Sequence, residues 1–336
     1  MTESVGAGQT ASAVFEMGGR LPTVPMDDLP SWLTAWCVDR LGAEPVGVLF
    51  EQRSISSVFG LRLADGRDVV VKAREDDGRA ASCVAAQAQL AERGFPCARP
   101  ITPAVRVGVS AGVLAVHAEE FRPGGELLSG DSPEVAVGYA AVFARLMAEL
   151  AAVNVAPPLP NPRWARWDHQ DSGIWPAIDF LDARDQSVVP AHVVETAARA
   201  RKRLLAADLP CVLGHADFEA QNLRWHRGLD ADVWTVHDWD SLAWQPEAAL
   251  VGAASGTFPK VGPAMLPPIE SSQAFLAAYQ NLRQRRFTAE ELEVAWAASL
   301  WTAAHDVRWE ALHREAPAPG DVLRDQAAER LRRANA

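Results

Sequence analysis

Cysteine is scarce, and its spacing excludes two ways of stabilising a small fold. The four cysteines are widely scattered and form no C-x-x-C pair, so neither a zinc knuckle nor a disulfide framework is predicted. The chain also lacks an apolar run of about 18 residues, the minimum for a membrane span. Its first residues lack the basic start and apolar core of an export signal. We therefore expect a soluble protein of the reducing cytoplasm, without membrane attachment.

Basic residues are in the minority as well. Asp and Glu number 43 against 32 Lys and Arg, which gives a net charge of −11. Such a charge opposes binding to a nucleic-acid backbone and favours a cationic or metal-neutralised ligand. Hydrophobic residues make up 49% of the 336 residues, enough for two lobes with buried cores. The expected partner is a small molecule, and no nucleic acid, membrane or protein partner is implied.

Strand patterns dominate the first third of the chain. Two β-rich stretches flank the turn dipeptide Asp65-Gly66, and two more flank the segment 110–112. After Arg122 the pattern changes to Ala/Leu-rich helix, interrupted by one strand-rich island at 211–240. The sequence thus predicts an α+β protein of two lobes. The predicted parts are a tail or cap at 1–28, a small β-rich lobe at 29–121, a hinge at 122–130 and a larger, mostly helical lobe at 131–336.

The strand-rich island carries the most informative residues. A short apolar strand precedes the polar loop 215–222, and a later strand delivers Asp238-Trp239-Asp240. Phosphoryl transfer needs a carboxylate that accepts the proton of the attacking hydroxyl. It also needs an amide and a second carboxylate that hold Mg²⁺ on the nucleotide phosphates. Asp217, Asn222 and Asp238 have the chemistry for these three roles.

In these residues the sequence resembles the aminoglycoside phosphotransferase and choline kinase family, whose fold is similar to that of protein kinases. The family signature is H-x-D-x-x-x-x-N, followed after a hairpin by an aliphatic strand that ends in D-W-D or D-W-E. Here the two parts are H-A-D-F-E-A-Q-N and V-H-D-W-D. The resemblance implies a two-lobed, protein-kinase-like fold that uses ATP and Mg²⁺. It implies that Asp217 is the catalytic base, that Asn222 and Asp238 bind magnesium, and that His215 braces the loop.

The resemblance also implies a nucleotide site in the β-rich lobe. Lys72, on a strand, would reach the α and β phosphates, although a lone strand lysine is also typical of a solvated edge. The next helix has no obvious glutamate to hold this lysine. The loop that would cover the phosphates is not glycine-rich, so backbone N–H groups and serine hydroxyls would have to donate the hydrogen bonds to the phosphates. The residues implied for these contacts are Ser54, Ser56 and Ser57 in the loop, and Glu120 and Phe121, whose backbone would hold adenine.

Tryptophan is abundant where the acceptor would bind. Ten of the 12 tryptophans follow residue 160, and three of them cluster with Asp168 and Asp179. Flat aromatic faces beside carboxylates suit a hydroxylated ring that bears an amine, although buried core tryptophan is the ordinary alternative. Glu219, two residues after the proposed base, either faces the acceptor or is a solvated loop carboxylate.

A helix near the end of the chain carries further candidates around Trp309. Asp306 and Glu310 are four residues apart, a like-charge pair that costs an isolated helix about 0.2–0.5 kcal/mol unless a cation lies between them. A protonated amine of the acceptor would relieve the repulsion. Arg308 and His313 could equally neutralise the pair in solvent.

Acidic charge and clustered tryptophans favour a cationic sugar as acceptor. Within the family the sequence is most similar to actinobacterial kinases of glucosamine, so we predict an amino-sugar kinase with glucosamine as the first candidate. Aminoglycosides and other amino alcohols are the alternative acceptors. Choline is a less favoured candidate, because a cage of aromatic side chains could bind its quaternary ammonium group.

Two other classes of protein are weighed against the kinase. Gly108 to Gly112 match the G-x-S-x-G elbow of serine hydrolases, but that elbow requires a helix after the serine, and a strand pattern follows Ser110. A non-catalytic nucleotide-binding module is suggested by the missing helix glutamate. The presence of Asp217, Asn222 and Asp238 argues against such a module.

Overall fold

A computed structural model describes residues 29–336 except 54, 111, 156–158, 160, 227–231, 262–264 and 315–320. The predicted tail or cap at 1–28 therefore lies outside the described residues. The described chain forms two compact units. The first consists of residues 29–126 and Trp234–His237, and the second of Leu127–Val233 and Asp238–Ala336. The division after Glu126 falls within the predicted hinge segment 122–130.

The first unit is built on a five-stranded antiparallel sheet with the strand order β1-β2-β3-β5-β4. Its described elements are α1 (Ser31–Leu41), β1 (Pro45–Arg53), β2 (Ser56–Leu63), β3 (Asp68–Glu75), α2 (Ala80–Glu92), β4 (Val105–Val109) and β5 (Gly112–Glu120). One face of the sheet is apolar and packs against α1. Val69 and Val71 of β3 lie in this core, as strand alternation predicts, which leaves Lys72 on the opposite face.

The two predicted hairpins of this unit are present. Gly66 has a φ of 87°, which lets the chain turn between β2 and β3. Val109 pairs with Gly112 across the second turn, so Ser110 lies exposed at the tip of the β4–β5 hairpin and is followed by a strand. The Gly108–Gly112 segment is therefore not a nucleophile elbow.

The second unit is mostly helical. Its described elements are α3 (Pro133–Leu150), α4 (Asp179–Asp182), α5 (Ala191–Leu205), β6 (Cys211–His215), β7 (Leu223–Trp225), β8 (Val233–Val236, which runs on into the segment grouped with the first unit), β9 (Leu242–Pro246), α6 (Glu247–Thr257), α7 (Ile269–Leu282), α8 (Ala289–Arg314) and α9 (Asp321–Arg333). The strand β9, which pairs with β6, is absent from the sequence prediction. No helix in the described ranges has the length and apolar character of a membrane span.

Helices α6 and α8 are in unusually close contact, and two glycines make that contact possible. A Cβ atom added at Gly252 would lie 2.1 Å from the backbone oxygen of Ala295, and one at Gly256 would lie 2.9 Å from Cβ of Ser299. The backbone of α8 therefore runs against α6 with little side chain between them. This contact fixes the position of the residues on α8 that are described below.

We expect Gly252→Ala to destabilise the protein, because the added methyl group would overlap a helix backbone that cannot rotate away. Overpacking of this kind costs about 1–3 kcal/mol of unfolding free energy. The measurement is thermal unfolding of the two proteins followed by circular dichroism.

The matched control is Gly138→Ala. Gly138 lies within α3 with no atom within 4 Å of its added Cβ, so the same substitution should leave stability unchanged or raise it by about 0.5–1 kcal/mol. Equal melting temperatures for Gly252→Ala and the parent protein would contradict the close helix contact.

Candidate active site

The pairing of β6 with β9 brings the two sequence motifs together. His215 lies opposite Leu242 in this ladder, and the Ala216 amide donates a hydrogen bond to the Ser241 carbonyl at 2.9 Å. The segment that begins at Asp238 therefore runs beside the loop after β6. Pairing rather than sequence proximity creates the site.

Asp217 is held by its own loop. The Asn222 amide nitrogen donates to the Asp217 carbonyl at 2.9 Å and to its Oδ2 at 3.2 Å, while the Asp217 amide donates to His215 Nδ1 at 3.2 Å. The His215 ring is buried, with its edge contacts to Phe218 and Trp239 at centroid distances of 6.3 and 5.9 Å. The structure thus brings together the predicted base, the predicted metal amide and the predicted brace.

Asp238 has an uncommon backbone conformation for a residue other than glycine. Its φ of 63° lies in the left-handed region, and its side chain accepts a hydrogen bond from the Ser241 hydroxyl. Such conformations persist only where the surrounding structure enforces them, and they cluster at functional sites. The strained turn places the carboxylate directly after β8.

Asn222 and Asp238 supply the donor type that Mg²⁺ prefers. The side-chain nitrogen of Asn222 donates to Asp217, so the side-chain oxygen of Asn222 is the atom that can bind a metal ion. The Asp238 carboxylate supplies a second oxygen ligand. Within the described ranges, no group of three or more His, Cys, Asp or Glu residues could hold a metal alone. The residues therefore fit a cation that also takes ligands from nucleotide phosphates, as Mg²⁺ usually does.

A lysine that the sequence analysis did not single out lies among the acidic residues of this site. Lys260 Nζ is 3.1 Å from Oε2 of Glu219 and 3.0 Å from Oδ1 of Asp306. The three side chains are 15%, 1% and 12% exposed, respectively. Glu219 is therefore not the solvated loop carboxylate that one of the two interpretations offered, but a buried partner of Lys260.

The electrostatics of this cluster are dominated by burial and by an excess of carboxylates. Burial raises the pKa of Asp217, with Lys260 opposing and Asp306 adding to the rise, and it raises the pKa of Glu219 more strongly. Burial alone would lower the pKa of Lys260, but Asp306, Glu219 and Asp217 together raise it. Lys260 therefore remains an ammonium ion, and three carboxylates share one positive charge.

A pocket opens beside this cluster. It encloses about 470 Å³ of space, open solvent included. Indole rings and polar groups share its wall. The lining residues that bear on ligand binding are Trp164, Trp167, Asp217, Trp301, His305 and Asp306.

Several polar atoms of the pocket wall are buried without a hydrogen-bond partner in the described part of the chain. They are the indole nitrogens of Trp167 and Trp301, Nε2 of His305 and Oδ2 of Asp306. Burial lowers the pKa of His305 to about 4, so its ring is neutral at pH 7. Buried polar groups are normally hydrogen-bonded, which makes this wall suited to a ligand that carries both donors and acceptors.

Three predicted acceptor residues lie elsewhere. Trp309 and Glu310, further along α8, and Asp179, exposed at the start of α4, are not among the described residues that line the pocket. Trp309 stacks on His313 at a centroid distance of 4.3 Å. The structure does not bring these three residues to Asp217.

The Asp306–Glu310 pair does not depend on one shared cation, because each carboxylate has its own in the described part of the chain. Asp306 pairs with Lys260, and Glu310 pairs with Arg314 at 3.0 Å. Arg308 is directed to Asp182 at 2.9 Å and does not neutralise the pair.

In the first unit, the partner of Lys72 comes from the sheet. Lys72 Nζ lies 2.9 Å from Oε1 of Glu119, and the Gln87 amide of α2 donates to the second carboxylate oxygen at 2.8 Å. Burial opposes ionisation of Glu119, but Lys72, His117 and the Gln87 hydrogen bond together lower its pKa below the usual value. The carboxylate expected from the helix is thus supplied by β5.

Three of the other predicted nucleotide residues, Ser56, Ser57 and Glu120, lie on strands of the same sheet. Ser56 and Ser57 begin β2, with Ser57 opposite Arg53, and Ser54 lies outside the described residues. The Glu120 amide donates to the Arg99 carbonyl at 2.9 Å, so this amide is not available to adenine. The Phe121 ring packs on Phe50 at a centroid distance of 6.1 Å.

Composition offered a signal for Lys260 that motif analysis did not use. Only three of the 32 basic side chains are lysines, Lys72, Lys202 and Lys260, and the rest are arginines. Lys72 and Lys260 are the two that form the buried ion pairs described above. Lys202 is exposed on α5, so two of the three lysines in an otherwise arginine-rich chain lie in buried ion pairs, where the compact ammonium of lysine differs from a guanidinium fork.

Comparison with known proteins agrees with the geometry. Residues 49–249 match the model of the phosphotransferase enzyme family. No curated protein matches the sequence. Solved structures with a similar fold include an amicoumacin kinase (14% identity, 86% of each chain covered, TM-score 0.57), a microcompartment-associated aminopropanol kinase (14%, 86% of this chain and 89% of the other, 0.55) and a spectinomycin phosphotransferase (11%, 91% and 94%, 0.53).

The family model covers more than half of the chain, and the chain therefore belongs to the phosphotransferase enzyme family. It is an ATP-dependent phosphotransferase with a hydroxyl acceptor. The similar structures show the same fold, a β-rich part followed by a helical part.

We expect Glu119→Gln to weaken nucleotide binding, because Lys72 would lose the charge that orients it. Removing one partner of a buried ion pair costs up to about 3–5 kcal/mol, and Lys72 at 14% exposure should lose less than that maximum. The KM for ATP should rise by about tenfold or more, which corresponds to about 1.4 kcal/mol. Steady-state kinetics and nucleotide titration provide the measurement.

Glu75→Gln is the control, since Glu75 is an exposed carboxylate on the strand that carries Lys72. It should leave the KM for ATP unchanged. If the two variants had the same KM, the ion pair would have no part in nucleotide binding.

Proposed function

We propose that this protein transfers the γ-phosphate of ATP, with Mg²⁺, to a hydroxyl group of an amino sugar, with glucosamine as the first candidate. The observation that carries the proposal is the pocket in which Asp217 shares a wall with three indole rings and unpartnered polar atoms. The wall thus combines a carboxylate for the reacting hydroxyl with surfaces for the rest of the acceptor.

Asp217 acts in this proposal as the general base. Its carboxylate accepts the proton of the attacking hydroxyl, and the Asn222 amide holds one of its oxygens during the transfer. A base is most effective when its pKa approaches the working pH. The burial that raises the pKa of Asp217 therefore favours this role. His215, through its bond to the Asp217 amide, keeps the loop in place.

The nucleotide is held by charges from the named side chains. Asn222 and Asp238 would hold Mg²⁺ through an amide and a carboxylate oxygen. When bound, the ion supplies positive charge to the phosphate oxygens. Lys72 would contact the α and β phosphates, with Glu119 and Gln87 restricting its position.

An amino sugar is favoured by three properties of the pocket. Indole faces stack on the apolar faces of sugar rings, and the indole N–H groups of Trp167 and Trp301 can donate to hydroxyls. Asp306 pairs with Lys260 through Oδ1, and its Oδ2 has no hydrogen-bond partner in the described residues, so this oxygen can accept a hydrogen bond from a protonated amine. Glucosamine is put first because of the sequence resemblance to glucosamine kinases, and aminoglycosides remain the second acceptor class.

Asp217→Asn should lower turnover by about 10²- to 10⁴-fold while leaving ATP binding intact, because only the proton acceptor is lost. ADP release and nucleotide titration are measured on the same preparation. Asp325→Asn, at an exposed carboxylate of α9, is the control and should keep full turnover. Normal turnover in Asp217→Asn would remove Asp217 from the reaction.

The acceptor is tested by measuring ADP formation with glucosamine, glucose, an aminoglycoside and choline, each with and without magnesium. We expect kcat/KM for glucosamine to exceed that for glucose by about tenfold or more, the value of one charge-assisted hydrogen bond. Equal values for the two sugars would contradict amine recognition. ATP binding without ADP formation from any of these acceptors would support a non-catalytic module.

A further inference from the structure

Lys260 links two parts of the active site that are far apart in the sequence. Its ammonium lies between Glu219 of the catalytic loop and Asp306 of α8, at 3.1 and 3.0 Å. Its backbone also takes part, since the Gln221 amide donates to the Lys260 carbonyl at 3.1 Å. The Lys260 amide donates in turn to the Thr257 carbonyl at the end of α6, at 2.9 Å. One residue therefore joins α6, the loop that carries Asp217, and α8.

Stabilisation of the fold does not by itself account for such a lysine. A buried ion pair is often no better for stability than well-packed apolar side chains, because each charge must be removed from water. Two salt bridges to one ammonium do, however, fix where two carboxylates lie relative to each other. The two carboxylates belong to different walls of the same site, since Asp306 lines the pocket and Glu219 lies two residues after Asp217.

We propose that Lys260 is a positioning residue, whose ammonium fixes the acceptor-binding wall of α8 against the loop that carries the catalytic base. The proposal rests on the proposed function for its kinetic consequences, but not for the structural ones. Enzymatic phosphoryl transfer depends almost entirely on positioning and electrostatic stabilisation, and a misplacement of about 1 Å can cost about 10²-fold in rate.

The arrangement also determines which oxygen of Asp306 meets the acceptor. Oδ1 is paired with Lys260, whereas Oδ2 is buried and has no hydrogen-bond partner in the described ranges. Lys260 thus holds the carboxylate with one oxygen directed away from the internal cation. The acceptor amine or a hydroxyl would bind the remaining oxygen.

Lys260→Ala with chemical rescue tests this role. The substitution removes three methylene groups and the ammonium, which are the heavy atoms of n-propylammonium. We expect the variant to lose about 10²-fold in kcat/KM for the acceptor with little change in the KM for ATP. Added n-propylammonium should restore a large part of that loss, whereas tetramethylammonium, which has no N–H donor, should not. The amine has no hydroxyl group and cannot itself be the acceptor.

Hydrogen–deuterium exchange provides a readout that does not depend on catalysis. In Lys260→Ala, amide exchange should be faster in two separate segments, 216–223 and 303–308, and n-propylammonium should slow it again in both. An ordinary loss of stability would instead raise exchange throughout the second unit. Faster exchange confined to the neighbourhood of residue 260 would overturn the proposal.

A second variant tests the same role if Lys260→Ala fails to fold. Lys260→Met combined with Glu219→Gln removes one charge of each sign, so Asp306 is the one carboxylate that loses its salt bridge, whereas Lys260→Ala removes the salt bridge of two. It should fold, with the same faster exchange in 216–223 and 303–308 and the same selective loss in acceptor kinetics. Normal exchange and normal kinetics in this folded double variant would overturn the proposal.

Arg203→Ala is the matched control, because it removes another salt bridge to α8. Arg203 bridges α5 to Glu293 of α8 at 2.8 Å, 13 residues before Asp306 and about 20 Å away along the helix. It should lower stability without the acceptor-specific loss and without a response to n-propylammonium. A response equal to that of Lys260→Ala would mean that any salt bridge to α8 has the same effect, which contradicts a specific role for Lys260.

The two proposals fail in different ways. If the parent protein phosphorylated none of the acceptors tested, the proposed function would fail, and the exchange pattern would still decide whether Lys260 joins the two segments. If the parent protein were active and the Lys260 variants kept normal acceptor kinetics and exchange, only the positioning role would fail.

Discussion

Three carboxylates that share one ammonium in a poorly solvated place impose the main constraint on the helical unit. Buried charges are costly unless they are paired, so Glu219 and Asp306 must stay within about 3 Å of Lys260. That requirement depends on the position of α8, which the glycine contacts of α6 set in turn. Helix packing, the loop that carries Asp217 and the pocket lined by Asp306 are therefore parts of one arrangement.

Local sequence patterns predicted the elements that stand alone along the chain. The Asp65-Gly66 hairpin, the strand before His215 and the long helix after residue 132 are each defined by their own turn residues, periodicity or caps. The two-part fold class follows from the change between these patterns and agrees with the similar structures. The contact between Asp217 and Asn222 could be predicted because their spacing is fixed within one short segment.

Contacts between distant segments could not be predicted from local sequence patterns. Lys260 lies 41 residues after Glu219 and 46 before Asp306, and no local periodicity connects positions so far apart. The Asp306–Glu310 spacing suggested a shared cation because an isolated helix has only its own neighbours. In the folded protein each carboxylate has its own cation. Arg314, four residues after Glu310, follows from helical spacing, whereas Lys260 reaches Asp306 from a distant segment of the chain. Charge pairing in a core is decided by tertiary packing, which a single helix does not encode.

The Lys72–Glu119 pair gives the nucleotide site a property of its own. Both residues belong to neighbouring strands of one sheet, and Gln87 is the contribution of helix α2, a neutral amide rather than an anion. In an enzyme whose strand lysine depends on a helix carboxylate, outward rotation of that helix switches the enzyme off. Here the counter-ion moves with the lysine, so a displacement of α2 would remove a hydrogen bond and leave the ion pair whole. The lysine and its counter-ion are therefore positioned by one sheet and do not depend on a charge carried by α2.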